Sequence, residues 1–158
     1  MAETLDEPTG VREQDLHGTW RLHDWVIDYD DGRPASFPFG ADATGLLIYA
    51  ADGHVSAAIG RGGRARLSRD DIRRAPEAEK AAAFDSYFHY AGTWRLEGGQ
   101  VVHEVTQSLN PNFVGTVQVR DLDLQGDRLE LRAVVPTLSG ATMTNRLVWR
   151  RATPRRGR

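Results

Sequence analysis

The stretch that decides the fold is LHGTWRL, residues 16–22, read together with LVWRR, residues 147–151. A Gly-x-Trp sequence that opens the first strand, with an arginine on the last strand, predicts a sheet that closes on itself. The Trp20 indole would then plug the floor of a barrel, and a guanidinium from the last strand would stack over it. Such a cation–π contact contributes about 0.5–2 kcal/mol. Small closed barrels hold one small ligand in their interior, so the same stretch also predicts a cavity.

Length and composition indicate one domain. The chain has 158 residues, of which 40% are hydrophobic and 27% are charged, as in an ordinary globular protein. We expect the barrel over residues 15–151, a disordered leader over residues 1–14 and an Arg-rich disordered tail over residues 152–158. No apolar run approaches the ~20 residues of a membrane helix, and the acidic N-terminus lacks a secretion-signal pattern. We therefore expect a cytoplasmic protein with no membrane partner.

Charge and residue types narrow the partners further. A net charge of −2 argues against nucleic acid. The chain has no cysteine, which excludes disulfides and thiolate metal sites. The histidines lack metal-ligand spacing, so we expect neither a metal nor another cofactor. The arginines clustered over residues 61–74 and 150–158 are interpreted as a solvated loop and tail, with phosphate binding as the alternative. A monomer or a homodimer is expected.

Alternating polar and apolar residues predict about eight strands with tight turns between most of them. The predicted runs are Gly18–Tyr29, 45–50, 54–59, 93–96, 100–109, 114–122, 128–135 and 143–150. Between the third and fourth runs, Pro76 and the acidic residues after it predict the start of a helix. Ala81, Phe84 and Phe88 lie at i, i+3 and i+7, which predicts one helix over about residues 76–90 on the barrel. The fold class is all-β, an antiparallel up-and-down barrel with one helical excursion.

The first strand does not alternate throughout. Trp20, Leu22 and Val26 share one face, whereas Trp25 and Ile27 fall on the other, which predicts a β-bulge or a change of partner midway.

The sequence resembles the bacterial and fungal lipocalin-like domain family. The match extends from about residue 16 to residue 151, and the order of the motifs makes it fairly specific. The resemblance implies a calycin-type barrel with a ligand cavity but no single reaction. It is carried by residues 18–22, 38–40, 45–49, 52–57, 87–93, His103, 108–112, 114–116 and 147–149.

Three side chains are candidates for catalysis. His103 lies mid-strand, and on an interior face a desolvated imidazole would be a reasonable general base. Tyr49 and Tyr90 could donate hydrogen bonds to a carbonyl or enolate oxygen in a dry cavity. The alternative is that all three only pack in the core.

Other side chains are candidates for ligand contacts. The tryptophans would supply flat walls, and the polar residues would anchor a ligand at the cavity or its mouth. Each has a structural alternative, such as core packing or, for the asparagines, turn formation. The candidates are Trp25, His54, Tyr87, Trp94, Gln107, Asn110, Asn112 and Gln118.

Three functions remain open at this point. The first is a cofactor-independent natural-product tailoring enzyme, such as a cyclase, isomerase or dehydratase, acting on a small hydrophobic, oxygenated molecule. The second is a non-catalytic carrier or sensor for the same class of ligand. The third is an interaction domain whose barrel is filled by its own side chains, which a cavity below ~300 Å³ would favour.

Overall fold

The computed structural model describes residues 10–153, so residues 1–9 of the predicted leader and residues 154–158 of the predicted tail lie outside the described residues. A short helix already begins inside the predicted leader, at Glu13. The elements are α1 Glu13–Leu16, β1 Gly18–Tyr29, β2 Thr44–Tyr49, β3 His54–Gly60, α2 Glu77–Asp85, β4 Tyr87–Glu97, β5 Gln100–Ser108, β6 Val117–Gln125, β7 Arg128–Pro136 and β8 Thr142–Arg151.

The strands form one closed antiparallel barrel in the order β1 to β8, and this confirms the predicted fold class. The barrel closes because β1 pairs with both β2 and β8. Trp20 lies opposite Leu47 on one side and Arg151 on the other. Since consecutive strands run in opposite directions, every second connection lies at the same end of the barrel.

The two ends of the barrel differ in their connections. Tight turns at residues 50–53, 98–99 and 126–127 share one end with α1 and the start of β1. The longer connections at residues 30–43, 61–86, 109–116 and 137–141 lie at the opposite end. We call the first end the floor and the second the mouth.

The floor is sealed around Trp20, as the sequence predicts. The guanidinium carbon of Arg151 lies 4.2 Å from the centre of the Trp20 ring, and the indole N–H donates to the Leu16 carbonyl at 2.9 Å. Arg151 also donates to the carbonyls of Asp15 and His17, at 2.7 and 3.0 Å. The arginine therefore joins the first strand, the last strand and α1.

The predicted irregularity of β1 is present as a shift in its pairing with β8 between Leu22 and Asp24. The extra residue reverses the alternation, so that Trp20 before the shift and Trp25 after it both contribute to the interior. Without this bulge, Trp25 would face solvent.

The helix is shorter than its apolar spacing suggests. It begins after Pro76 but ends at Asp85, and β4 begins at Tyr87. Phe88 therefore belongs to a strand, and Phe84 is 49% exposed rather than packed in a stripe on the barrel. The helix contributes few core contacts, because none of its residues is buried.

Candidate functional site

The interior of the barrel holds a cavity of about 270 Å³. This volume is slightly below the ~300 Å³ at which ligand sites usually begin, so by that criterion alone it favours the interaction domain with a filled barrel. It still exceeds the ~150 Å³ that suffices to bind benzene in an engineered apolar cavity. The volume is therefore sufficient for a single substituted ring. The cavity is lined by Trp25, Leu47, Ala57, Ile59, Phe88, Tyr90, His103, Phe113, Gln118, Arg120, Leu131, Ala133, Val135, Asn145, Leu147 and Trp149.

The wall of the cavity is largely aromatic on the side of β1 and β4. The rings of Trp25 and Phe88 lie 6.1 Å apart, and Phe113 stands edge-on to Phe88 at 5.9 Å. Phe113 comes from the connection between β5 and β6, which folds over the mouth. The tilted Trp25–Phe88 pair and the edge-to-face Phe88–Phe113 pair stabilise this wall and offer flat surfaces to an aromatic ligand.

The three candidates for catalysis meet at one side of this cavity. The Tyr49 hydroxyl lies 2.8 Å from Nε2 of His103, and the Tyr90 hydroxyl lies 2.6 Å from Nδ1 of the same ring. The side chains come from β2, β4 and β5. All three are buried, with at most 5% of the residue exposed. Their proximity could not be read from the sequence, because only the closed barrel brings these strands to one point.

The direction of these hydrogen bonds follows from the chemistry of the ring. A neutral imidazole has one N–H donor and one acceptor nitrogen. Among the described residues, the Tyr49 hydroxyl has no hydrogen-bond partner except His103 and does not line the cavity. Its proton is therefore satisfied only if Tyr49 donates to Nε2. His103 then donates from Nδ1 to Tyr90, and the proton of the Tyr90 hydroxyl remains available to the cavity.

Burial keeps all three groups neutral. It lowers the pKa of His103 to about 3, with the positive charge of Arg120 adding to the effect. Burial raises the pKa of Tyr90 to about 12 and raises the pKa of Tyr49 well above its ordinary value. The chain of donors from Tyr49 through His103 to Tyr90 thus keeps its protons throughout the physiological pH range.

A cationic side chain also lines the cavity. Arg120 of β6 is half-buried and donates to the Val119 carbonyl at 2.9 Å and to the Gln118 side chain at 3.2 Å. Both acceptors are uncharged. Sequence reasoning missed this residue, although the signal was available: Arg120 is two positions after Gln118, so strand alternation places both on one face.

One polar atom at the cavity lacks a partner. The indole nitrogen of Trp149 is buried and has no hydrogen-bond partner in the described part of the chain. Trp149 itself is 2% exposed and lines the cavity. The Trp25 indole, by contrast, donates to the Asn145 side chain at 3.2 Å. Trp149 and Asn145 are two further cavity residues that were not predicted.

Of the eight ligand-binding candidates, the structure places Trp25 and Gln118 at the cavity and the other six elsewhere. His54 lies at the turn between β2 and β3 and pairs with Asp52 at 3.0 Å, with 68% of its side chain exposed. Tyr87 faces outward because Phe88 and Tyr90 take the inward positions of β4. Its ring stacks on His89 and lies 5.0 Å below the Arg64 guanidinium.

Gln107 is displaced by a second bulge. The pairing of β4 with β5 shifts by one residue between Ala91 and Gly92, which leaves Thr106 unpaired. The alternation that places His103 and Val105 inside is thereby broken, and Gln107 is exposed. The prediction that inward and outward residues alternate strictly along β5 was therefore wrong at this point.

The remaining candidates have structural roles. Asn110 caps the short 3-10 turn Pro111–Phe113 by accepting from the backbone of Asn112 at 3.0 Å, and both asparagines are exposed. Trp94 is buried beside Tyr49, with ring centres 4.6 Å apart, and donates to the Ala50 carbonyl. It supports the Tyr49 side chain from the floor side and does not line the cavity.

The described residues lack the features of a metal site and of a membrane-spanning helix. No cluster of three or more histidine, aspartate or glutamate side chains suited to a metal ion occurs in residues 10–153. Over the same range, none of the helices has the length and apolar character needed to span a bilayer.

A closed eight-stranded antiparallel barrel with a mainly apolar interior cavity defines a class of small-molecule-binding barrels. Comparison with family models places this chain more narrowly. Residues 17–152 match the model of the lipocalin-like domain, and the chain belongs to this family. The resemblance inferred from the sequence motifs is thereby confirmed.

A curated relative carries a functional name. The 4'-hydroxy-3'-methoxypropiophenone carrier protein of Aspergillus oryzae is 31% identical over 106 residues, which cover 61% of this chain and 96% of the relative. That protein is thus named as a carrier of a small aromatic ketone.

Solved structures give weaker likenesses. An uncharacterized protein from Bacteroides eggerthii is 13% identical, with a TM-score of 0.42, and the match covers 87% of this chain and 100% of that one. The sensor domain of PknI from M. tuberculosis is 18% identical, with a TM-score of 0.32 and 87% of each chain covered. Scores this low carry no functional argument.

Proposed function

We propose that this protein is a carrier that binds a small, single-ring aromatic molecule bearing oxygen substituents and releases it unchanged. The observation that carries the proposal is the cavity itself: about 270 Å³, walled by Trp25 and Phe88, with the Tyr90 hydroxyl as a donor. Flat apolar walls select a ring, and a buried donor selects an oxygen acceptor. The name of the fungal relative supports the same ligand class.

The chemistry of His103 favours carriage over a tailoring reaction. Both ring nitrogens are already hydrogen-bonded to tyrosines, and burial holds the pKa of the imidazole near 3. An efficient general base has a pKa near the working pH, so this ring is poorly suited to accept a proton from a substrate. Among residues 10–153, no carboxylate lines the cavity to take that role.

Ligand binding tests the proposal directly. Trp25 and Trp149 line the cavity, so titration with 4'-hydroxy-3'-methoxypropiophenone should quench tryptophan fluorescence saturably, and calorimetry should give one site per chain. The Ala133→Phe variant fills the cavity and should abolish binding. Val134→Phe places the same ring on the neighbouring, 60% exposed position and should bind as the wild type does. Equal binding by both variants, or none by the wild type, would refute the proposal.

Analysis of the recovered ligand distinguishes a carrier from an enzyme. After prolonged incubation with stoichiometric protein, mass spectrometry should return the ketone unaltered. Conversion of the ketone that is lost in Tyr90→Phe would instead support the tailoring-enzyme hypothesis.

A further inference from the structure

The charge of Arg120 is the feature of the cavity that a neutral ligand leaves unexplained. The ten ion pairs found in residues 10–153 do not include this guanidinium, so no carboxylate oxygen among those residues lies within 4.0 Å of it. Its two hydrogen bonds go to neutral oxygens. A charge at an apolar cavity is costly unless an opposite charge compensates it.

One further donor, the Tyr90 hydroxyl, lines the same cavity, and a second lies buried within its wall. The hydrogen-bond chain leaves the Tyr90 proton available, and the buried Trp149 indole N–H has no partner in the described residues. The part of the chain that the structure describes contributes no aspartate or glutamate to the lining. The polar part of the cavity thus has hydrogen-bond donors and a positive charge. This combination suits an anionic ligand and not a cation.

We propose that the cavity binds its aromatic ligand as an oxyanion, a phenolate or a carboxylate, with Arg120 as the residue that selects the ionised form. This inference rests on the proposed function and adds the charge state of the ligand to it. Arg120 supplies the opposite charge, and Tyr90 donates a charge-assisted hydrogen bond. Such bonds are markedly stronger than those between neutral groups.

His103, Tyr90 and Tyr49 do not titrate near neutrality, so a pH dependence of binding reports on the ligand. The titratable side chains that face this region are Tyr49 of β2, Tyr90 of β4 and His103 of β5, with Arg120 of β6. The pKa values of His103 and Tyr90 lie near 3 and 12. The lining residues from β1, β3, β7 and β8 carry no titratable group.

Three probes of similar shape separate the possible charge states. 4-Hydroxyacetophenone ionises with rising pH, 4-methoxyacetophenone cannot ionise, and 4-acetylbenzoate is anionic throughout. For the wild type, the affinity of the phenol should rise as pH increases from about 6 to about 10 and its proton is lost. The ionised phenol should bind roughly 10- to 100-fold more tightly than the methyl ether, as expected for a hydrogen bond to a charged group. The affinity of 4-acetylbenzoate, compared with that of the ionised phenol, shows which oxyanion binds more tightly.

Two variants test whether Arg120 causes the pH dependence of phenol binding. Arg120→Met should remove the pH dependence of phenol binding and reduce its affinity to that of the ether. Arg132→Met makes the same charge change on an exposed position of β7 and should leave the profile intact. Since the wild-type comparison of phenol with ether needs no variant, the inference stays testable even if Arg120→Met fails to fold.

The outcomes distinguish this inference from the proposed function. Equal, pH-independent binding of phenol and ether by the wild type, with 4-acetylbenzoate no tighter, would overturn the oxyanion inference and leave the carrier function standing. Failure of all three probes to bind would refute the carrier proposal itself. A pH dependence that persists in Arg120→Met would also overturn the assignment to Arg120.

Discussion

His103 has a positioning role at the scale of single residues, because it orients the hydroxyl that faces the cavity. Its ring lies between two tyrosines, of which Tyr90 lines the cavity and Tyr49 does not. The buried Tyr49 fixes the tautomer of the imidazole, and the tautomer fixes which way the Tyr90 proton points. Tyr49 therefore determines, through His103, that the Tyr90 hydroxyl presents a proton to the cavity.

This arrangement predicts different effects for the two tyrosines. Tyr49→Phe and Tyr90→Phe should each lower the free energy of unfolding by about 1–3 kcal/mol, because each leaves a buried nitrogen of His103 unsatisfied. Only Tyr90→Phe should also weaken ligand binding, by roughly tenfold, because only its proton reaches the cavity. Urea titrations and calorimetric binding measure the two effects separately. A larger loss of affinity in Tyr49→Phe would show that the assigned tautomer is wrong.

Burial of the neutral imidazole predicts an acid sensitivity. Burial lowers the pKa of His103 from 6.5 to about 3. Between these values the unfolded chain binds one more proton than the folded chain at this site. Stability is therefore retained above about pH 6.5 and falls by about 1.4 kcal/mol per pH unit as the pH decreases towards 3.

The variant His103→Gln isolates this contribution. The amide can accept from Tyr49 and donate to Tyr90 but does not titrate. Urea midpoints measured from about pH 7 to about pH 4.5 should fall less steeply in the variant than in the wild type. The carboxylates titrate in both proteins and cancel in the comparison. Parallel pH profiles would contradict the assigned burial of the neutral ring.

At the scale of elements, the bulge between β4 and β5 depends on one glycine. A Cβ atom added at Gly92 would lie 1.8 Å from the Glu104 carbonyl oxygen, which is backbone and cannot move aside alone. Gly92→Ala should therefore destabilise the protein by about 1–3 kcal/mol, as overpacking does. Gly60→Ala on β3 is the control, since the nearest atom there is the Arg64 side chain at 3.4 Å. Similar urea midpoints for the two variants would refute this role of Gly92.

The elements also show how far sequence patterns determine the site. The bulge in β1 could be predicted because two tryptophans occupy opposite phases of the alternation, and the structure has it. The bulge at Thr106 was not predicted, because the polar Gln107 on the inner face was interpreted as a ligand contact and not as a change of phase. The helix end was misplaced since Phe84 and Phe88 satisfy a helical period as well as they satisfy a strand.

At the scale of the whole molecule, closure decides which residues form a site. His103 and the two tyrosines could be nominated singly from their residue type. Their contact depends on the shear of the barrel, which no local pattern encodes. Arg120 was missed for a different reason: an arginine on a strand is usually solvated, and this expectation outweighed the alternation that places it on the same face as Gln118.

The closure itself can be tested at the floor. Arg151 contacts the Trp20 ring, two carbonyls of the segment that contains α1 and the exposed Asp127 carboxylate. Arg151→Met therefore removes a cation–π contact, two hydrogen bonds and a surface ion pair together. These losses should reduce the free energy of unfolding by about 1.5–4 kcal/mol. Arg150→Met removes the same charge from the adjacent, exposed position and should change stability by at most about 0.5 kcal/mol. Urea denaturation of both variants, followed by tryptophan fluorescence, gives the comparison. Equal losses would mean that the arginine acts only through its charge, and that packing of the indole alone seals the floor.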